Sequence, residues 1–379
     1  MKKVVRGFYA VAYAVKLCKP DVICAYPITP QTEIVENLAE MYANGELENC
    51  KYITAESEFD AASILVGASA TGARTFTATC SQGLILMSEV LFNAAGMRLP
   101  IVIVNTNRAL SAPLSIWNDL QDSMALRDAG IIQIYVEDNQ EAHEIIPQAY
   151  KIAESTMFPT MICMDGFKLT HAYEPVELLD QDIVDSFLPP YDPPLKLSVE
   201  KPLTFGSYAP PNCYMEFRYR MHKDMLKAKE TIERVFREWA EIKRDWGGLI
   251  EFKEGKTVLV AMGSLMGNIK DVSEKLNVGY MKIRTYRPFP SEEIRKSLKD
   301  CENVIVFDRA VSFGYEGILS MEIRNALYGE SPSIYSFIVG LGGRDVPRSL
   351  IEKCISKVME GKAEKYSFEG LREFEEVLY

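Results

Sequence analysis

The chain has 379 residues, of which 47% are hydrophobic and 25% charged, a length and composition typical of a soluble globular protein with two domains. Its net charge of -11 argues against nucleic acid or an anionic membrane as the main partner, and no apolar run approaches the roughly 20 residues of a transmembrane span. The eight cysteines form no C-x-x-C pair, which excludes the usual local spacings of zinc and iron–sulfur ligands in this chain. Because they are scattered in mostly apolar contexts, we expect reduced thiols in a cytoplasmic protein.

The first 165 residues alternate between helical and extended patterns. The apolar start only loosely resembles a signal peptide, because charges return at Lys16 and Lys19, and a buried first helix is favoured. This alternation predicts an α/β domain with a parallel sheet. Ligands bind such sheets at the carboxyl ends of the strands, which Tyr26, Cys80 and Asn105 are expected to mark. Helices are predicted at residues 7–18, 31–43, 57–72, 83–95 and 139–154, and strands at 21–26, 52–54, 74–79, 100–105, 131–136 and 159–164.

A proline-rich segment separates this domain from a second α/β unit. Residues 189–211 contain seven prolines, which is typical of an extended connector. The apolar spacing over residues 224–246 then predicts an amphipathic helix ended by Gly247 and Gly248, with a solvated charged face or a role in subunit contact. The expected domains are therefore 1–245, including the connector and this helix, and 255–379. In the second unit, strands are predicted at 257–264, 278–284, 303–308 and 333–340, and helices at 268–276, 290–298 and 317–328, before a charged helical end.

The segment "YPITPQTE", residues 26–33, holds one threonine between two prolines. Each proline fixes its own φ and disfavours helix at the residue before it, so Thr29 is predicted to lie in a stiff strand-to-helix turn. The hydroxyl of Thr29 or Thr32 could cap the following helix. Alternatively, the turn presents the Thr29 hydroxyl to a ligand.

Two further strand-to-helix junctions carry candidate site residues. In "ESE", Glu56 and Glu58 lie at the start of a helix, where an acid either favours the helix dipole or holds a proton against a heterocycle nitrogen. In "CSQG", the backbone amides around Ser81, Gln82 and Gly83 could hold an anion or a polar ligand edge, and a plain helix cap is an equal alternative.

Arg108 follows a buried strand and opens a long polar loop. Arginine is the best side chain for bidentate binding of a carboxylate, and the alternative is a structural ion pair with Asp119 or Asp122. The chain has neither a G-x-x-x-x-G-K-[ST] motif nor a G-x-G-x-x-G motif after its first strand. The glycines of "GLGGRD", residues 340–345, are interpreted as a structural turn rather than a phosphate cradle.

These segments together carry a family resemblance over nearly the whole chain. The chain resembles the alpha subunits of 2-oxoacid:ferredoxin oxidoreductases, and among them the pyruvate synthase (pyruvate:ferredoxin oxidoreductase) type. The N-terminal likeness lies in "YPITPQTEIVE", "ESE", "GARTFTATCSQGLILMSEVL", "LPIVIVNTNRALSAPLSIWNDLQDSMALRDAG" and "DGFKLTHAYEPVE". Residues 1–245 thus resemble a thiamine diphosphate pyrimidine-binding domain. Residues 255–379 resemble a transketolase C-terminal-like domain through "MGSLMGNIKD", "KIRTYRPFPSEEIRKSL", "VIVFDRAVSFGYEG" and "VGLGGRD".

The resemblance implies a role for each candidate residue. Glu58, the second acid of "ESE", would face N1′ of the aminopyrimidine of thiamine diphosphate, with Ser81, Gln82 and Gly83 beside the cofactor. Thr29 would hydrogen-bond the 2-oxoacid, and Arg108 would bind its carboxylate. The chain has no G-D-G motif for the diphosphate and Mg²⁺, so the resemblance places that site on a beta subunit.

The implied reaction is the reversible oxidative decarboxylation of pyruvate with coenzyme A and ferredoxin. The [4Fe–4S] clusters that carry the electrons are expected on partner chains, with gamma and ferredoxin-like delta subunits beside beta. The alternatives are a branched-chain, aryl or 2-oxoglutarate ferredoxin oxidoreductase subunit, another thiamine diphosphate enzyme, or a non-catalytic scaffold subunit.

Overall fold

The fold contains two mostly parallel sheets, one of seven strands and one of six. The structure is a computed structural model that describes residues 2–244 and 247–372. In the first half the elements are β1 (Lys2–Arg6), α1 (Gly7–Leu17), β2 (Val22–Ala25), α2 (Thr32–Ala43), β3 (Lys51–Thr54), α3 (Glu58–Ala70), β4 (Thr75–Thr79), α4 (Ser81–Leu86), α5 (Ser88–Gly96), β5 (Val102–Asn107), α6 (Gln121–Ala125), β6 (Ile132–Tyr135), α7 (Asn139–Thr156), β7 (Thr160–Asp165), β8 (Tyr173–Glu177), α8 (Gln181–Phe187) and α9 (Tyr214–Ala240).

The second half contributes all six strands of the six-stranded sheet and also one strand of the seven-stranded sheet. Its elements are β9 (Ile250–Lys253), β10 (Thr257–Ala261), α10 (Leu265–Leu276), β11 (Gly279–Ile283), β12 (Thr285–Arg287), α11 (Ser291–Leu298), β13 (Asn303–Asp308), α12 (Ile318–Ala326), β14 (Ser333–Ile338), a short 3-10 turn (Leu341–Gly343), α13 (Arg348–Met359) and β15 (Tyr366–Phe368). The α/β fold class and the buried first helix are confirmed, since α1 buries Phe8, Val11, Val15 and Leu17 among others.

The first sheet has the order β12-β6-β7-β5-β4-β2-β3, with parallel pairing from β6 to β3. The chain leaves β2 to form β3 on one side and then returns to place β4 on the other side. This reversal makes the carboxyl ends of β2 and β4 a topological switch point, which is where open α/β sheets bind ligands.

The described chain departs from the sequence prediction in several elements. Helix α9 starts at Tyr214, earlier than predicted, and ends at Ala240 with Glu241 as its C-cap, so Gly247 and Gly248 do not end it. Trp246 of the predicted helix lies outside the described residues. The short or edge strands β1, β8, β9, β12 and β15 were not predicted, because each is short and lacks a long apolar run.

The two units are joined through shared elements. Strand β12 follows β11 directly but pairs antiparallel with β6 of the first sheet, whereas β9, which precedes Gly255, pairs with β11 of the second. One hydrophobic cluster contains Leu84 and Met124 of the first unit together with Val258 and Ile323 of the second. Within the described residues, no helix is both long and apolar enough to cross a bilayer.

Candidate active site

The turn that holds Thr29 follows β2 at the switch point. Its conformation is fixed by Gln31, whose side chain accepts from the Ile28 N–H at 3.1 Å and donates to the Ala78 carbonyl of β4 at 2.9 Å. Neither the Thr29 nor the Thr32 hydroxyl forms a hydrogen bond within the described chain, and α2 has no side-chain cap. The capping alternative is therefore wrong for both threonines, and the Thr29 side chain is exposed.

Glu58 is the buried acid of the "ESE" segment. Its side chain is 6% exposed, whereas Glu56 is exposed. The helix cap is provided by Ser57, whose hydroxyl accepts the Asp60 N–H at 3.1 Å. The Glu58 carboxylate makes no hydrogen bond with any described residue. A buried carboxylate without a partner is costly, so this position favours a ligand over a capping role.

Gly83 of α4 brings the backbone of the neighbouring helix close to Glu58. A Cβ atom added to Gly83 would lie 2.5 Å from Oε1 of Glu58 and 2.7 Å from Oγ1 of Thr79. The Thr79 hydroxyl is fully buried and also lacks a hydrogen-bond partner among the described residues. The absence of a side chain at Gly83 therefore lets two polar groups, neither with a partner among the described residues, lie against the backbone of α4.

At the β4–α4 junction, the backbone amides of Ser81 and Gly83 are bound within the chain. The Ser81 N–H donates to the Asp122 carboxylate at 2.9 Å, and the Gly83 N–H donates to the Cys80 carbonyl at 3.0 Å. The Ser81 hydroxyl lies 2.6 Å from the carbonyl oxygen of Ala109. These two amides are used internally and a carboxylate already fills the position, so an anion is not expected there. Gln82 is exposed, and its side-chain oxygen accepts a hydrogen bond from the Ser81 hydroxyl at 2.6 Å.

Arg108 lies directly beside the Thr29 turn. Its guanidinium donates through Nη1 to the Thr29 carbonyl at 2.8 Å and through Nε to the Ser115 carbonyl at 3.1 Å. No carboxylate in the described part of the chain lies within salt-bridge distance of it, so the proposed ion pairs with Asp119 or Asp122 are absent. Two of its five N–H groups donate to these carbonyls, and a third contacts the Cys80 thiol, which leaves donors that could bind a ligand.

Cys80 completes the contact between these segments. Its thiol lies 3.2 Å from the Thr29 carbonyl, the same oxygen that Arg108 contacts. Burial raises the pKa of this thiol to about 12, so it is a neutral donor at physiological pH. One cluster from three strand ends thus contains Thr29, Cys80 and Arg108. All eight cysteines of the chain are free thiols.

Asp122 is a site residue whose role the sequence did not indicate. It is fully buried on α6 and accepts hydrogen bonds from the backbone of Ser81 and Arg108. Burial raises the pKa of its carboxyl, and the surrounding N–H donors oppose that rise. The sequence indicates this carboxylate only as a possible ion-pair partner of Arg108. No spacing in the sequence distinguishes Asp122 from Asp119.

The loop after Arg108 is held by the second unit. Asp119 accepts the Gly342 N–H at 3.0 Å, and the Leu120 N–H donates to the Arg309 carbonyl at 2.8 Å. Burial raises the pKa of Asp119 to about 6. The three glycines of "GLGGRD" have left-handed φ values, and Gly342 and Gly343 lie beside this loop, which supports the interpretation of a structural turn.

The described residues fit the aminopyrimidine part of thiamine diphosphate. The Glu58 carboxylate is a buried acceptor and the Thr79 side chain a buried hydroxyl, both without a partner among the described residues, and both lie against the backbone of Gly83. Among the described residues, 2–244 and 247–372, no three His, Cys, Asp or Glu side chains are grouped as metal ligands would be.

Two stretches of the chain match sequence families. Residues 13–237 match "Pyruvate flavodoxin/ferredoxin oxidoreductase, thiamine diP-bdg", and residues 255–351 match "Pyruvate:ferredoxin oxidoreductase core domain II". Among solved structures, the chain is similar to a 2-oxoglutarate:ferredoxin oxidoreductase from Magnetococcus marinus with 2-oxoglutarate, coenzyme A and succinyl-CoA bound. The TM-score is 0.71 at 21% identity, over 95% of this chain and 65% of that chain, so this likeness shows the fold alone.

Several curated relatives are similar over nearly their full length. Pyruvate synthase subunit PorA of Methanosarcina barkeri is 50% identical, with 93% of this chain and 92% of the relative covered. The PorA subunit of Methanocaldococcus jannaschii is 50% identical over 98% of both chains. Ketoisovalerate oxidoreductase subunit VorA of Pyrococcus horikoshii is 46% identical over 96% of both. The resemblance found in the sequence is thereby confirmed, and the chain belongs to the pyruvate flavodoxin/ferredoxin oxidoreductase family.

Proposed function

We propose that this chain is the alpha subunit of a pyruvate:ferredoxin oxidoreductase, or pyruvate synthase. The enzyme would convert pyruvate, coenzyme A and oxidised ferredoxin reversibly to acetyl-CoA, CO₂ and reduced ferredoxin. The observation that carries the proposal is that Glu58, Thr29 and Arg108 lie at the switch point of the sheet, each with donors or acceptors left for a ligand. The identity with pyruvate synthase subunits favours pyruvate as the substrate.

Glu58 would bind the aminopyrimidine of thiamine diphosphate. When bound, this cofactor supplies the nucleophilic carbon and the electron sink for decarboxylation. The Glu58 carboxylate would hold a proton at N1′ of the ring, because it is buried and has no partner among the described residues. The backbone of Gly83 would lie against the ring, and Thr79 would offer its hydroxyl nearby.

Arg108 and Thr29 would bind and orient the 2-oxoacid. The remaining guanidinium donors of Arg108 suit the substrate carboxylate, and the exposed Thr29 hydroxyl suits a second oxygen of the same molecule. Fixing the carboxylate relative to the keto carbon aligns the bond that breaks when CO₂ leaves. Such positioning accounts for a large share of enzymatic rate acceleration.

Partner subunits would complete the active site and the electron path. The beta subunit would bind the diphosphate and Mg²⁺, and [4Fe–4S] clusters on the partners, including a ferredoxin-like delta subunit, would pass electrons to ferredoxin. The absence of a G-D-G motif and of C-x-x-C pairs in this sequence supports that division. A gamma subunit would complete the assembly.

A substrate screen on the assembled complex tests the proposal. We expect the complex purified with its partner chains to reduce ferredoxin with pyruvate and coenzyme A at a higher kcat/KM than with 2-oxoisovalerate, an aryl 2-oxoacid or 2-oxoglutarate. The 46% identity to a ketoisovalerate oxidoreductase subunit makes a branched-chain 2-oxoacid the second candidate. A higher kcat/KM for 2-oxoisovalerate would overturn the pyruvate assignment, and a complex without iron–sulfur absorption would overturn the reaction class.

A further inference from the structure

Asp122 lies at the centre of a buried hydrogen-bond network beneath the Thr29–Cys80–Arg108 cluster. One carboxylate oxygen, Oδ2, accepts from the Ser81 N–H at 2.9 Å, the Arg108 N–H at 3.1 Å and Nδ2 of Asn105 at 3.1 Å. The other, Oδ1, accepts from Nδ2 of Asn107 at 2.8 Å and from the Ser123 N–H at 2.7 Å. Asp122 thus joins the end of β4, the end of β5 and the start of α6.

The donors around Asp122 are all neutral. No Lys, Arg or His in the described chain lies within salt-bridge distance of its carboxylate, although the side chain is fully buried. A buried charge without a counter-ion depends on its hydrogen bonds. The same dependence holds in reverse, because Ser81 and Arg108 are buried and their amides need this acceptor.

Two of the five donors belong to the backbone of residues beside the proposed substrate. Asp122 holds the main chain of Arg108, and the Arg108 guanidinium reaches 2.8 Å to the Thr29 carbonyl. The same carboxylate oxygen holds Ser81, directly after Cys80, whose thiol also contacts that carbonyl. One buried side chain therefore fixes the two segments, after β4 and after β5, that contact the Thr29 carbonyl.

We propose that Asp122 is a positioning residue for 2-oxoacid binding. It fixes the backbone from which the Arg108 guanidinium extends, so that the free guanidinium donors face the substrate carboxylate beside Thr29. This assignment rests on the proposed function. Asp122 does not touch the substrate, and its effect on turnover passes through Arg108.

The experiment is a double-mutant cycle in the assembled complex. The variants are Asp122→Asn, Arg108→Ala and the double variant, with pyruvate kcat and KM measured for each. Asparagine keeps the size of Asp122 but turns an NH₂ group toward part of the donor set. A misplacement of about 1 Å at a reacting group can cost about 100-fold in rate, so we expect kcat/KM for pyruvate to fall about 10- to 100-fold, mainly through KM.

The cycle separates positioning from general damage to the fold. In the Arg108→Ala background, adding Asp122→Asn should change kcat/KM by less than about twofold, because the path through Arg108 is already lost. The matched control is Asp308→Asn in the second unit. Asp308 is also a buried carboxylate with only neutral donors, from Leu319, Ser320 and Ser336. This control should lower thermal stability without raising the pyruvate KM.

A milder variant covers the case in which Asp122→Asn does not assemble. Asn105→Ser removes one side-chain donor from the oxygen that also binds the Arg108 amide. We expect a three- to tenfold rise in pyruvate KM, again lost in the Arg108→Ala background. Effects of Asp122→Asn or Asn105→Ser that multiply with Arg108→Ala overturn the positioning role. A wild-type complex that oxidises no 2-oxoacid overturns the proposed function and this assignment with it.

Discussion

At the scale of single residues, burial separates the two acids of the "ESE" segment. Glu56 and Glu58 are two positions apart at the start of α3, and either could favour the helix dipole. Ser57 caps the helix instead. Glu56 is exposed, whereas the Glu58 carboxylate lies against Gly83. The same residue type therefore has different surroundings within one helical turn, and these surroundings favour Glu58 as the cofactor ligand.

The pair Glu58→Gln and Glu56→Gln tests this difference. Glutamine keeps the size of glutamate but cannot hold a proton between itself and a ring nitrogen as a carboxylate does. General acid–base contributions are commonly about 100- to 10,000-fold, so Glu58→Gln should lower kcat by at least about 100-fold in the assembled complex. Glu56→Gln should leave kcat within about twofold. Equal turnover in the two variants would contradict the role of Glu58.

At the scale of elements, the site depends on how closely α4 approaches the start of α3. The approach is possible because Gly83 has no side chain at the position where a Cβ would contact both Glu58 and Thr79. A Cβ atom at 2.5 Å from a carboxylate oxygen is far inside van der Waals contact, so either Glu58 moves or the helices separate.

Gly83→Ala should therefore weaken cofactor binding. We expect the dissociation constant of thiamine diphosphate for the complex to rise at least about tenfold, because an added methyl group in a filled site costs about 1–3 kcal/mol. Gly67→Ala is the matched control, since Gly67 lies within α3 with nothing near the added Cβ. That variant should bind the cofactor normally and gain about 0.5–1 kcal/mol of stability. Isothermal titration measures the cofactor affinity of both variants. Normal binding by Gly83→Ala would count against the site.

The long elements could be predicted from sequence, but contacts between distant segments could not. Strands β5 and β7 contain continuous apolar runs because both faces of the sheet are buried, and these runs indicated the two strands directly. Strand β12 has three residues and pairs across units, so no local pattern marks it. The hydrogen bond from the Ser81 amide to Asp122 could not be predicted for a similar reason, because this carboxylate comes from another helix.

At the scale of the whole molecule, a buried charge network joins the two units. Glu141 on α7 accepts from Lys282 Nζ at 2.6 Å and from Arg284 Nε at 2.7 Å, and all three side chains are at most 1% exposed. Lys282 also contacts Glu137, which in turn binds Lys270. The network lies where the chain leaves β11 to form β12, so it fixes the segment that completes the first sheet with a strand from the second unit.

Loss of the Glu141 charge should therefore destabilise the whole chain. Removing one partner of a buried ion pair leaves uncompensated charge and commonly costs about 3–5 kcal/mol, so Glu141→Gln should lower the free energy of unfolding by about that amount. The control Glu302→Gln removes an exposed pair with Lys256 and should leave the free energy of unfolding unchanged within error. Urea denaturation measures both, and a cost for Glu141→Gln no larger than that of the control would contradict the interpretation.

The same network predicts how stability changes with pH. Burial alone would raise the pKa of Glu141, but Lys282 and Arg284 lower it from 4.5 to about 2. A carboxyl group whose pKa is lower in the folded chain stabilises the fold fully above its unfolded pKa. Its contribution is then lost as the pH falls from about 4.5 toward 2. Between pH 5 and pH 3, the free energy of unfolding should fall more steeply in the wild type than in Glu141→Gln, because only the wild type has this carboxyl to protonate. Parallel pH profiles for the two proteins would show that the network does not contribute to acid sensitivity.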